Sequence, residues 1–164
     1  MLRSRPLAPG EVGLVRELFG EALDPAPVRV VRQPLRPLNR PFVAGRLFGR
    51  YPIVWPAVGW SEDFGAASTP LGRQAVFVHE LVHVWQAQRG LNLLFAKLRA
   101  GDGPAAYAYG RDGVVAFERL NLEQQAMAVQ HAFLYRRTGA CPGAPWPADA
   151  YAGWLPFGPP TTRA

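Results

Sequence analysis

The sequence predicts an α+β fold, with a central buried helix, a second long helix, an N-terminal amphipathic helix and a small, irregular antiparallel sheet. Three observations predict it. Residues 69–89 carry helix start and stop signals around a middle, AVFVHELVHVWQA, that is apolar on nearly every side. Residues 121–139 open on an Asn-x-x-Gln capping box and close on Arg136, Arg137 and Gly139. Between residues 28 and 60 the helical period vanishes, and short apolar runs alternate with Pro and Gly.

Taken in order, residues 11–22 set Val12, Val15, Leu18, Phe19 and Ala22 at spacings of three and four, with Glu11, Arg16, Glu17 and Glu21 off that stripe. This is an amphipathic helix ended by Asp24-Pro25. Strand candidates follow at 28–33, 42–48 and 51–55; prolines at 25, 27, 34, 37 and 41 forbid long central strands and place these pieces at edges or in a meander. The central helix starts at Thr69-Pro70, with Thr69 as N-cap and Pro at the first helical position, and runs to Arg89 before Gly90 stops it. Residues 91–99 read as a further short helix and 101–113 as a loop or short strand. The tail, 141–164, is a Pro-rich extended wrap whose Trp146, Tyr151, Trp154, Leu155 and Phe157 give it something to pack with. A length of 164 residues is one domain, 1–164.

Composition removes several function classes. With 49% hydrophobic and 18% charged residues the chain is not disordered, and a single cysteine, Cys141, makes no internal disulfide and suits a reducing compartment. No apolar run approaches the roughly 18 residues of a membrane span, and the N-terminus leads into Pro and Gly rather than an apolar signal core. The expectation is a cytoplasmic protein without a signal peptide. The net charge of +6 comes mainly from scattered arginines, with Arg136-Arg137 the one adjacent pair. No nucleic-acid partner is expected from that pattern, and binding to an anionic surface would require the arginines to gather on one face.

The chemistry sits in the central helix. His79-Glu80-Leu81-Val82-His83 is an HExxH sequence, and on a helix its two histidines lie about 40° apart in rotation and one turn apart in height, so both imidazoles reach one metal ion. Glu80 points beside them, where a carboxylate takes a proton from water on the metal instead of ligating it; the metal such a set suits is Zn2+. The competing reading is a buried helix with two hydrogen-bonded histidines and Glu80 paired with an arginine, a costly choice in an apolar helix without a compensating ligand. The longer metzincin signature needs Gly at 86 and His at 89, where this chain has Gln86 and Arg89.

A third ligand must therefore come from elsewhere. The other histidine is His131, and the downstream acids are Asp102, Asp112, Glu118, Glu123 and Asp149. Glu123 is the best placed, in the first turn of a capped helix beside small Ala126, although a first-turn acid also serves the helix dipole alone. Glu118 is the runner-up. To hold a developing oxyanion the sequence offers His131, Tyr107 and Tyr109; Tyr109 is favoured because a turn at Gly110 can aim its hydroxyl over the metal, and the two tyrosines share a face if their segment is extended.

The segments VRELFGEALDPAPVRVV, HELVHVWQAQ and LNLEQQA together resemble a family of bacterial zincin-like proteins related to the valine-glycine-repeat spike of contractile secretion systems, similar in turn to the HELTHVVQ metallopeptidase-like domains of toxin-delivery particles. The resemblance spans about residues 7 to 137. It implies a zincin-like, gluzincin-type arrangement with His79, His83 and Glu123 as zinc ligands and Glu80 as base. Residues 51–67 depart from it, being richer in Pro, Trp and Gly. The function expected is zinc-dependent hydrolysis of peptide bonds in a peptide or protein substrate; the alternative is a catalytically silent module that binds partners within a secretion or toxin system. Export by a contractile secretion system belongs to either reading.

Overall fold

A computed structural model describes residues 3–33, 39–101, 103–111 and 113–157. Asp102, Asp112, Pro34, Pro37 and the end of the tail, 158–164, lie outside the described residues. The architecture is α+β, with a four-stranded sheet and, among the described residues, six α-helices.

β1 (Arg3–Arg5) leads into α1 (Pro9–Phe19). This helix starts two residues before the expected position, because Pro9 takes the first helical position and Glu11 accepts the Ala8 N–H at 2.8 Å. It stops at Gly20, whose φ of +57° suits glycine, so Ala22 lies beyond it. Leu14, Val15, Leu18 and Phe19 form its core face. Glu11, placed by periodicity on the solvent side, is wholly buried instead.

The sheet is mixed, not antiparallel. Its order is β1, β2 (Val28–Gln33), β4 (Tyr51–Pro56), β3 (Phe42–Val43). β3 and β4 form a hairpin, closed where Leu47 and Arg50 exchange two backbone hydrogen bonds. The returning β4 inserts between β2 and β3, and so runs parallel to β2 from the Val28–Tyr51 pair to the Gln33–Pro56 pair. β3 is shorter than the sequence suggests, since the chain after Val43 is taken up by the hairpin tip, where Phe48 and Gly49 both have positive φ. It pairs with only Ile53 and Val54, leaving Pro52 and Pro56, which have no N–H to donate, outside its register. Val28, Val30, Ile53 and Trp55 turn to the core from alternate strand positions.

α2 (Leu71–Gln88) runs through the centre, packed against β3 and β4 and against α5 (Leu122–Thr138). Pro70 occupies its cap position, and the Thr69 hydroxyl, expected to cap, donates to the Asp63 carbonyl at 2.8 Å instead. Gly90, with φ of +90°, follows the helix end. Phe64 and Phe77 stack at 4.9 Å with Trp55 on Phe64 at 4.1 Å, which ties α2 to β4. α3 (Leu93–Ala100) is capped by Asn92, and a short α4 (Pro104–Tyr107) forms where the sequence reads as loop or strand. A 3-10 turn, Phe117–Arg119, precedes α5. α5 begins as expected: the Asn121 side chain accepts from the N–H groups of Glu123 and Gln124, and Gln124 returns a bond to Asn121 N–H. In the tail, α6 (Ala148–Tyr151) forms a second apolar cluster with Tyr109, Leu120, Ala128, Ala132 and Trp146. Phe157 stacks on Phe19 at 4.6 Å.

Candidate metal centre

α2 and α5 meet at the HExxH segment. His79 and His83, one turn apart on α2, and Glu123, in the first turn of α5, present one ligand atom each within 4.8 Å of one another. Glu123 Oε2 lies 3.2 Å from His79 Nε2 and 3.3 Å from His83 Nε2. All three side chains are buried. Donors bonded at about 2.0–2.1 Å to a tetrahedral zinc stand about 3.3 Å apart, so the two histidine–carboxylate separations match a shared metal.

Electrostatics gather on the carboxylate. Burial opposes ionisation of Glu123, yet hydrogen bonds from His79 and His83 and the nearby charges of His83 and Lys97 hold its carboxyl well below the ordinary range. Burial likewise opposes protonation of His83, and the Glu123 hydrogen bond with the charges of Glu80 and Glu123 reverses it, raising the imidazole. Glu123 Oε1 makes no hydrogen bond; Lys97 Nζ stands 3.4 Å from it. His79 Nδ1 and Glu80 Oε2 are also buried without a hydrogen-bond partner. A cluster of buried, unsatisfied donor atoms around two imidazoles and a carboxylate fits a bound cation.

Two cavities flank this cluster. One of about 500 Å³ is lined by His79, Glu80, His83, Glu123, Lys97 and Tyr107, with Arg40 and Gln130 at its border. The other, about 290 Å³, is more apolar and sets Phe42, Val43, Leu93, Leu94 and Leu122 beside His83 and Glu123.

The two tyrosines part company. Because α4 is helical, Tyr107 and Tyr109 do not share a face: the Tyr107 ring centroid lies 6.3 Å from that of His79. Tyr109 is buried in the second cluster, its hydroxyl 2.6 Å from both His131 Nδ1 and Tyr151 Oη. Burial, then the Tyr151 bond, raises the Tyr109 phenol, while burial and the charge of His79 lower His131. Glu118 is exposed on the 3-10 turn and borders a different cavity, and Asp149 is exposed on α6.

Gln86 carries a role that the sequence reading missed. Buried one turn beyond His83, it accepts from His83 Nδ1 at 2.8 Å and donates to the Leu122 carbonyl and to Gln125 Oε1. Its signal in the sequence is its helical spacing from His83, which alone does not reveal a partner on α5.

Arg5, Arg3 and Arg137 pair with Glu11, Glu62 and Glu17, while Arg89 and Arg99 lie over the rings of Trp85 and Phe95. No described helix is long and apolar enough to cross a membrane.

No protein-family model matches the sequence. In an alignment of 141 residues that covers 79% of the chain, it is 30% identical to the type VI secretion system spike protein VgrG2b of Pseudomonas aeruginosa, and it spans about an eighth, 13%, of that much longer protein. Among solved structures it resembles the effector domain of Pseudomonas aeruginosa VgrG2b, with a TM-score of 0.63 and 28% identity, covering 82% of this chain and 76% of that one. By sequence and by fold, this chain is related to the effector domain of a type VI secretion spike protein.

Proposed function

We propose that this chain is a zinc-dependent hydrolase of peptide bonds that works as an effector associated with a type VI secretion system. The observation that carries it is the Glu123 carboxylate set 3.2 and 3.3 Å from two imidazole nitrogens, with the unpartnered Glu80 Oε2 in the same cavity. Zinc, when bound by His79, His83 and Glu123, would supply Lewis acidity toward a scissile carbonyl and make water more acidic.

The protein's own residues divide the remaining work. Glu80, adjacent in sequence to a ligand and pointing to its side, takes a proton from the attacking water at Oε2 and passes it to the leaving amine. Tyr107, which lines the cavity with its ring centroid 6.3 Å from that of His79, is the better-placed donor to the developing oxyanion, since Tyr109 lies in the second apolar cluster and not on this cavity. Lys97 steadies the Glu123 oxygen that does not face the histidines. The apolar cavity beside His83 accepts an apolar side chain of the substrate, and the open polar cavity gives the peptide room to enter. The relation to a spike protein's effector domain supports export by that apparatus.

The test is metal analysis of the purified protein, followed by a peptide-library screen of wild type beside Glu80→Gln. One zinc per chain is expected in both, with hydrolysis slower by about 10²–10⁴ in the variant. Wild type that holds zinc yet cleaves nothing would favour the silent partner-binding module, and a fully active Glu80→Gln would remove Glu80 as base.

A further inference from the structure

We infer that Gln86 is a positioning residue that locks His83 in the one tautomer able to ligate a metal, and that its own orientation is dictated by backbone carbonyls at the start of α5; the proposal rests on the metal-centre reading above. The order of donors and acceptors leaves one solution. Gln125 Nε2 donates to the carbonyls of Phe117, at 3.3 Å, and Leu120, at 3.2 Å. Carbonyls only accept, so these bonds turn the Gln125 Oε1 toward Gln86. Gln86 Nε2 then donates to that oxygen at 2.8 Å and to the Leu122 carbonyl at 3.0 Å. Its Oε1 is left facing His83 Nδ1 at 2.8 Å, where it must accept.

His83 Nδ1 therefore carries a hydrogen, and Nε2, the atom 3.3 Å from Glu123 Oε2, is the nitrogen left to shed its proton and offer a lone pair to a metal. A flipped Gln86 amide would put an oxygen against the Leu122 carbonyl and an NH2 group against Nδ1, turning the lone pair of His83 away from the site. The same glutamine acts on a second ligand. Leu122 is the residue before Glu123, so the bond from Gln86 to its carbonyl ties the first turn of α5 to the α2 turn that carries His83. One side chain thus sets the tautomer of one proposed ligand and the seat of another, while His79 Nδ1 has no such partner.

The experiment uses the full chain with ¹⁵N-labelled histidine; three histidines make the imidazole spectrum simple to assign. In wild type, with or without zinc, His83 is expected to show a protonated, slowly exchanging Nδ1. Gln86→Met, similar in size and apolar, is expected to lose that signature and to bind zinc about 10–100-fold more weakly in chelator competition. A wild-type His83 with an unprotonated Nδ1, or a Gln86→Met protein with undiminished zinc affinity, overturns the proposal. Because the wild-type spectrum needs no variant, the proposal stays testable even if Gln86→Met does not fold. A protonated Nδ1 in a wild type that binds no zinc would uphold the lock and remove the metal centre instead.

Discussion

Glu11 and Glu123 are buried glutamates in the first turns of their helices, 0% and 1% exposed, yet their surroundings differ in kind. Glu11 meets four donors: Arg5 grips it through both terminal nitrogens at 2.7 and 2.8 Å, and the N–H groups of Ala8 and Phe64 fill the remaining positions. The chain is shaped to bring them in. A Cβ on Gly65 would stand 2.2 Å from the Gly10 carbonyl oxygen, so only glycine lets the loop that carries Phe64 approach α1 so closely. Glu123 by contrast has one oxygen shared by two imidazoles and the other with no hydrogen bond. A buried carboxylate that is saturated by the protein holds the fold together; one left short of donors is available to something else.

Removing Glu11 gives the largest expected effect on stability. Glu11→Ala leaves the Arg5 guanidinium nearly buried and unpaired, which costs about 3–5 kcal/mol and lowers the melting temperature by about 10 °C. Calorimetry of the metal-free protein measures it. A loss below about 1 kcal/mol would mean that the network around Glu11 is replaceable, and the contrast with Glu123 would collapse.

Glu123→Gln is expected to do the reverse. It should weaken zinc binding by more than about 100-fold while shifting the stability of the metal-free protein by no more than about 1 kcal/mol, because the variant amide still accepts from the histidines. Chelator competition and thermal melting on one preparation separate the two effects. Unimpaired zinc binding would identify another residue as the third ligand.

The tyrosines differ in place: Tyr107 lines the cavity of the metal centre, and Tyr109 lies in the second apolar cluster. Tyr109→Phe breaks the link between His131 and Tyr151 and is expected to cost about 1 kcal/mol of stability with unchanged kinetics. Tyr107→Phe should instead lower kcat and kcat/KM together by up to about 100-fold with little change in KM, as for a donor used in the transition state. Steady-state kinetics on both variants decides it, and the opposite assignment would return the oxyanion role to Tyr109.

What the sequence made legible follows from how locally each feature is determined. The HExxH spacing, the Asn121–Gln124 box and the stop at Gly139 are fixed within one or two helical turns, and the structure has each of them where the residues indicate. Glu123 could be singled out because its own turn makes it rigid. Features that depend on distant partners could not be read in this way. The pairing of β1 with β2 and the insertion of β4 beside β2 join segments that carry no mark of each other. Periodicity assigned Glu11 to solvent because a helix pattern cannot show an arginine six residues upstream folding back onto it. The divergence of Tyr107 and Tyr109 turned on a single helical turn opened by Pro104, in a stretch whose Gly content reads as loop.

The smallest expected effect is a pH dependence at Glu123. Its carboxyl is held below the ordinary value of 4.5, so its contribution to stability is present above that pH and is lost as the pH falls below it. His83 is raised above the ordinary 6.5, so its contribution is complete below 6.5 and is lost as the pH rises through its folded value. The two overlap between about 4.5 and 6.5, where a charged imidazole faces a charged carboxylate in the metal-free protein. His131, lowered by burial and by the His79 charge, works the other way and destabilises the fold as the pH falls below 6.5, which makes the wild-type curve alone uninformative. Subtracting the melting curve of metal-free Glu123→Gln from that of wild type, across pH 5 to 9, removes the His131 contribution. The difference should be greatest near pH 5–6 and shrink toward pH 9. With zinc added the wild-type trend should invert, since imidazole must shed its proton to ligate and metal affinity then rises with pH. A flat difference curve would show that His83 and Glu123 do not share a charge, and the centre would have to be rebuilt around another pair.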